Sequence, residues 1–138
     1  MMDEPSEEQA RSLNERAWRL RMQGALRDAR ELYLRALAQW RALGSKRGLA
    51  ETLAKLGEIE MDLQHGEEAR AYLQESADLW QSQGDWMNCA ECLWRLGRMA
   101  RADGRFADAE RLQDQRWRYL ELGRLQWEES YRRGDRRG

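Results

Sequence analysis

The sequence predicts an all-α protein of three antiparallel helix pairs, and three observations carry that prediction. Strands favour β-branched side chains, which fit a pleated, half-buried surface, yet the β-branched residues here are Thr52 and Ile59, with no valine anywhere in 138 positions. The one proline, Pro5, lies near the start, so no interior helix loses a donor or meets a ring clash. The chain also repeats itself. A slide of 40 residues superposes Ala10, Ala50 and Ala90, then Leu13, Leu53 and Leu93, then Ala17, Gly57 and Gly97, then Ala29, Ala69 and Ala109. A fixed period of that size signals stacked supersecondary units.

Each element follows from this pattern. Ser6 with Gln9 three residues on forms a capping-box signature that opens the first helix A, whose apolar side is Ala10, Leu13 and Ala17. Gly24 marks a turn, after which Ala29, Tyr33, Ala36 and Trp40 recur at offsets of three and four, the spacing of one helix face. That is the first helix B. Gly44-Ser45 ends it and caps the next helix A, marked by Ala50, Leu53, Leu56 and Gly57. Gly66 is the expected second turn, with Ala69, Leu73, Ser76 and Trp80 as helix B; Gly84-Asp85 repeats the Gly44-Ser45 punctuation. The third unit has Ala90, Leu93, Leu96, Gly97 and Ala100, then Gly104, then a helix around Ala109. Leu125 to Tyr131 is expected as a short seventh, capping helix. The resulting organisation is an acidic N-terminal segment (1–9), three repeats (10–49, 50–89 and 90–123), and a cap with a basic tail (124–138).

Charge bounds the partners. The chain is 36% charged, with 24 basic and 25 acidic residues, the basic ones all arginine except Lys46 and Lys55. The two signs are interspersed, so no long-range positive field forms and nucleic acid is not an expected partner. No apolar run is long enough to span a membrane, and Met1-Met2-Asp3-Glu4 has neither the basic start nor the apolar stretch of a secretory leader. Cytoplasm is the expected compartment.

Paired helices with Leu53-x-x-Leu56-Gly57 returning as Leu93-x-x-Leu96-Gly97, and with alanine and aromatic positions in helix B, resemble the tetratricopeptide repeat family. The usual period in that family is ~34 residues. The longer one adds about 9 Å of helix per repeat, and no proline closes helix B. The long-helix variety in bacterial regulators and eukaryotic scaffold proteins is similar. HEAT and armadillo arrays share the longer period but lack the Leu-Gly and alanine columns. The resemblance implies a right-handed helical solenoid that acts as a scaffold or adaptor. Its A helices line a concave groove that holds a segment of a partner protein.

Catalysis finds little support in the residues. The single histidine, His65, stands in an expected turn and reads as a solvated turn residue, with no second titrating partner in the pattern. Cys89 and Cys92 form a Cys-x-x-Cys, but no strand precedes them as a thioredoxin-like site requires, and a zinc site needs further ligands. They occupy the columns of Leu49 and Thr52 and are expected to be small packing residues. No glycine-rich phosphate loop is present. We therefore expect no enzyme activity, no catalytic residues, no metal and no cofactor.

Binding residues are sought on the side of helix A away from the leucines. Trp18 and Met22 there are large apolar groups in the middle of a polar face, with no core to enter. Lys55 occupies that face in the second repeat, and Trp94, Arg95, Arg98 and Arg101 in or beside it in the third. Arg95 and Arg98, three apart, are expected to offer forked donors to one anionic segment. The expected partner is thus a protein or peptide segment, partly acidic, and the alternative is self-association into a homo-oligomer. The family's carboxylate clamp, which holds the acidic tail of heat-shock chaperones, matches only at Arg95. Trp18, Lys55 and Glu91 stand where it uses Asn, Asn and Lys, so chaperone-tail binding is not implied. Two expectations concern packing: Gly57 and Gly97 are tight crossings facing Ala69 and Ala109, and Trp117 is core or cap.

Overall fold

The structure, a computed structural model, describes residues 4–134 and folds them into six helices. They are α1 (Glu7–Met22), α2 (Leu26–Leu43), α3 (Lys46–Asp62), α4 (Gly66–Ser82), α5 (Trp86–Ala102) and α6 (Phe106–Arg132). No strand occurs among the described residues. The expected acidic and basic tails fall partly outside them, at 1–3 and 135–138. The chain divides into two compact units between Leu79 and Trp80.

In the first unit the caps form as the sequence pattern requires. Ser6 Oγ accepts from Gln9 N at 3.1 Å, and Ser45 Oγ from Gly48 N at 3.1 Å, each satisfying a donor that the first helical turn leaves unpaired. The repeat columns become the core: Leu13, Ala17, Ala29, Tyr33, Ala36 and Trp40 cluster with Leu53, Leu56 and Ile59. A Cβ added at Gly57 would lie 2.7 Å from Leu73 Cγ and 3.4 Å from the Ala69 carbonyl oxygen, so this crossing is tight as expected. A tighter one was not expected. A Cβ at Gly48 would meet the Trp40 indole at 2.2 Å.

Two findings in this unit depart from expectation. Gly66 is not the turn glycine of the second repeat, because it opens α4; the left-handed position falls to Gln64, at φ 64°. Gln64 shares a column with Gly24 (φ 83°) and Gly104 (φ 76°), so one of three equivalent turns carries a side chain where glycine alone is unstrained. The fully buried Glu60 carboxylate is the second departure. Arg30 Nε donates to its Oε1, and His65 Nδ1 lies 2.8 Å from Oε2. His65 is therefore a neighbour of a buried carboxylate rather than merely a solvated turn residue.

In the second unit Asp85 caps α5, its Oδ1 accepting from Asn88 N at 3.2 Å, and α5 packs along α6. Trp86 stacks on Tyr119 with ring centres 5.6 Å apart. Gly123 is buried close to Met87, whose Sδ would lie 3.0 Å from an added Cβ. Cys89 and Cys92 are buried in α5.

Three expectations fail in this unit. The short capping helix does not exist as a separate element: α6 runs 27 residues without interruption. Gly123 is the only weak helix former near the expected break, and Arg124 ties that stretch to Glu121 and Glu128 on the same helix face. Trp117 is neither core nor cap, being 57% exposed, with Arg116 over its ring at 5.6 Å. Gly97 is not a tight crossing. An added Cβ there meets only Leu112 Cβ, at 3.9 Å, an ordinary contact.

Candidate functional site

The openness at Gly97 leads to the site. Gly97 and Leu93 on α5, with Ala109 on α6, line a cleft of about 400 Å³ whose other walls are Trp94, Arg98 and Arg101 from α5 and Gln113 and Arg116 from α6. Helical spacing produces this grouping. Trp94 and Arg98 are four apart, Gly97 and Arg101 likewise, and each pair stacks one turn above the other. The Arg98 guanidinium lies 4.9 Å from the Trp94 ring centre, within cation–π range, which gives that wall an apolar and a charged component side by side. On α6 the alanine column supplies the floor, while the columns that hold Tyr33 and Ala36 in the first pair hold Gln113 and Arg116 here.

The electrostatics of the cleft are one-sided. Among the described residues three arginines line it and no carboxylate does. Elsewhere arginines are commonly paired: Arg11 with Glu7, Arg19 with Glu15, Arg47 with Glu51, Arg124 with Glu121. Arg98, Arg101 and Arg116 make no ion pair among the described residues. A guanidinium presents forked donors that fit carboxylate geometry, so the arrangement suits an anionic group placed next to an apolar one.

The sequence-derived candidates divide between the two units. Trp94, Arg98 and Arg101 meet at this cleft. Arg95 does not join them: its guanidinium donates to Glu91 Oε1 at 3.1 Å, an i, i+4 pair along the helix. The arginines that line the cleft are Arg98, Arg101 and Arg116. In the first unit Trp18 and Met22 are 48% and 56% exposed on α1. Lys55 is 3.6 Å from Glu58 Oε2, an oxygen that also accepts from Arg21 Nη1 at 3.2 Å, so its charge is balanced within the fold. Arg116, which lines the candidate cleft, was not among the sequence-derived candidates. Its departure from the Ala36 and Ser76 column was legible, but that departure points equally to a solvated end of the array.

Comparison with known proteins agrees with this architecture. The tetratricopeptide repeat family model matches residues 48–116. A search of curated proteins found no match to the sequence. Among solved structures, BtubC (BKLC) from P. vanneervenii is similar with a TM-score of 0.79 at 20% identity, over 88% of this chain and 50% of that one. A putative kinesin light chain from Podosopora anserina with nearly identical TPR-like repeats is similar with a TM-score of 0.67 at 23% identity, over 84% of this chain and 56% of that one. This chain thus spans about half the length of the structures it matches, and at these identities the likeness speaks to the fold. With the family model covering half of the sequence and helix pairs running from residue 7 to residue 132, the chain belongs to the tetratricopeptide repeat family.

Proposed function

We propose that the protein is a non-enzymatic interaction module that binds an acidic, partly apolar segment of a partner protein, with the α5–α6 cleft as its principal contact. Repeats of this family generally mediate protein–protein interaction, which supports the class of function. The observation that carries the specific reading is the cleft itself, walled by Trp94 and three arginines with no carboxylate among the described residues. Trp94 supplies apolar area at low entropic cost, and the arginines supply charge-assisted hydrogen bonds. Trp18 and Met22 are a separate candidate contact on the first unit, and Arg95 and Lys55 are secondary because each already faces a carboxylate.

The test is titration of a fluorescein-labelled 12-residue peptide of leucine and glutamate against the full chain. Arg98→Glu should weaken binding at least tenfold and flatten its salt dependence, since exposed charges are screened over about 8 Å at physiological ionic strength. Trp94→Ala should weaken binding while leaving the salt slope unchanged. Wild-type affinity in both variants would refute the reading. A second reading, self-association, draws on one observation: Trp117, Leu125, Trp127 and Tyr131 leave α6 with exposed apolar side chains. Light scattering that stays monomeric across concentration would remove it.

A further inference from the structure

We propose that the segment seated in the α5–α6 cleft is a helix: an amphipathic helix of a partner protein carrying two carboxylates four residues apart, docked on α5 and α6 as α3 docks on α1 and α2. The proposal rests on the binding reading above and adds the conformation and charge spacing of what is bound. Its warrant is the chain's own repeat. The residues that line the cleft on α5, Leu93, Gly97 and Arg101, fall in the columns of Leu13, Ala17 and Arg21 on α1. Those on α6, Ala109, Gln113 and Arg116, fall in the columns of Ala29, Tyr33 and Ala36 on α2.

In the first unit those columns are covered by a helix. Leu13, Ala17, Ala29, Tyr33 and Ala36 share one core with Leu56 and Ile59 of α3. Asn14 Nδ2 donates to Thr52 Oγ1 at 3.1 Å. Arg21 reaches out of α1 to two carboxylates one turn apart on α3, Glu58 at 3.2 Å and Asp62 at 3.1 Å. Arg101 holds the same column as Arg21 and makes no ion pair among the described residues, and the floor around it forms an open cleft rather than a covered core. Gly97 in place of Ala17 and Gln113 in place of Tyr33 leave additional room there. The complement of this surface is a helix with apolar side chains where α3 has Leu56 and Ile59, and acids where it has Glu58 and Asp62.

Charge decides which helix it is. A second copy stacking head to tail would present α1, whose residues in the relevant columns are Arg16 for Leu56, Trp18 for Glu58, Arg19 for Ile59 and Met22 for Asp62. That face is exposed and has no acid in these columns, and it would bring Arg16, together with Arg19 already paired to Glu15, onto an arginine-lined cleft. Like charges brought together in this way disfavour self-stacking, and the three arginines of the cleft favour an acidic helix of a partner protein.

The experiment compares three labelled 17-residue peptides by fluorescence anisotropy. The first is a hydrocarbon-stapled amphipathic helix with a Glu-x-x-x-Asp pair beside its apolar face, the second the same peptide with Gln and Asn at the pair, and the third an unstapled version with proline at its centre. The stapled acidic peptide should bind, and the other two should bind at least tenfold more weakly. Arg101→Glu and Arg116→Glu should each weaken the first peptide at least tenfold with the melting temperature kept, while Arg16→Glu leaves binding unchanged. If the proline peptide binds as tightly as the stapled one and remains sensitive to Arg98→Glu, the helix is refuted and acidic-segment binding stands. If no peptide binds, both fall. Equal binding of the Gln/Asn peptide overturns the charge assignment.

Discussion

Alanine substitution at three helical glycines tests the packing account most sharply, because the same chemical change should give different signs. Replacing glycine by alanine in a helix interior gains about 1 kcal/mol from backbone entropy alone. At Gly97 nothing opposes that gain, since the new methyl meets only Leu112 Cβ at 3.9 Å, so Gly97→Ala should stabilise by about 1 kcal/mol. At Gly48 the methyl would overlap three atoms of the Trp40 indole at 2.2–2.7 Å. That ring is 3% exposed and cannot swing into solvent. Overpacking of this kind costs about 3 kcal/mol at the upper end of its usual range, leaving Gly48→Ala destabilised by about 2 kcal/mol. Gly57→Ala falls between, because Leu73 Cγ at 2.7 Å belongs to a side chain with some freedom to adjust. With a urea slope of about 2 kcal/mol per molar, the midpoints of Gly97→Ala and Gly48→Ala should differ by roughly 1.5 M when unfolding is followed by circular dichroism. Equal midpoints, or a Gly97→Ala protein weaker than wild type, would refute the reasoning that local clearance decides the outcome.

Three further outcomes are expected. Gln64→Gly should stabilise by about 1 kcal/mol by relieving the left-handed backbone, raising the melting temperature by roughly 3–5 °C in a calorimetric scan; no change would mean that Gln64 is not strained. Burial pushes the Tyr33 hydroxyl up from 10.0 to about 12, with Arg21 lowering it and Glu58 raising it. Between those values the folded state keeps a proton that the unfolded chain has lost, so stability is full below about pH 10 and falls by about 2–3 kcal/mol as pH rises to 12. Tyr33→Phe should remove that segment of the curve, and a Tyr33→Phe protein with the same alkaline decline would overturn the assignment. Arg30→Met should cost about 2 kcal/mol, because it strips a partner from the buried Glu60 carboxylate, whereas Glu60→Leu should be close to neutral, since Leu20 occupies that column in the first repeat. Chemical denaturation of the two variants checks the order.

The all-α class, the helix pairs and their caps were legible because each rests on residues whose effect is local. Ser6, Ser45 and Asp85 needed only the turn that follows them, and the alanine and leucine columns needed only helical periodicity. What failed depended on the residue across the interface. Gly57 and Gly97 look equivalent in a repeat alignment, but the position that presses on Gly57 is Leu73, and its counterpart in the last pair is the exposed Gln113. Of the site, Trp94, Arg98 and Arg101 could be singled out as charge and aromatics on one helix face. The pairing of Arg95 with Glu91 and the presence of Arg116 in the candidate cleft depend on side-chain geometry and on the pairing of two helices. The end of α6 differs from the expected separate capping helix at Leu125 to Tyr131 because nothing past Gly123 breaks a helix.

That continuity sets how the last helix opens. α6 extends about 40 Å at 1.5 Å per residue, against about 25 Å for the 17 residues of α5, and Gly123 is its last buried residue. The turns after it rest on side-chain ladders such as Arg124 with Glu128 and Arg133 with Glu129, each worth only a few tenths of a kcal/mol. Amide hydrogens beyond Gly123 should therefore exchange with solvent through fraying from the C-terminal end, faster at each successive turn. Those facing α5 should wait for cooperative opening of the helix pair.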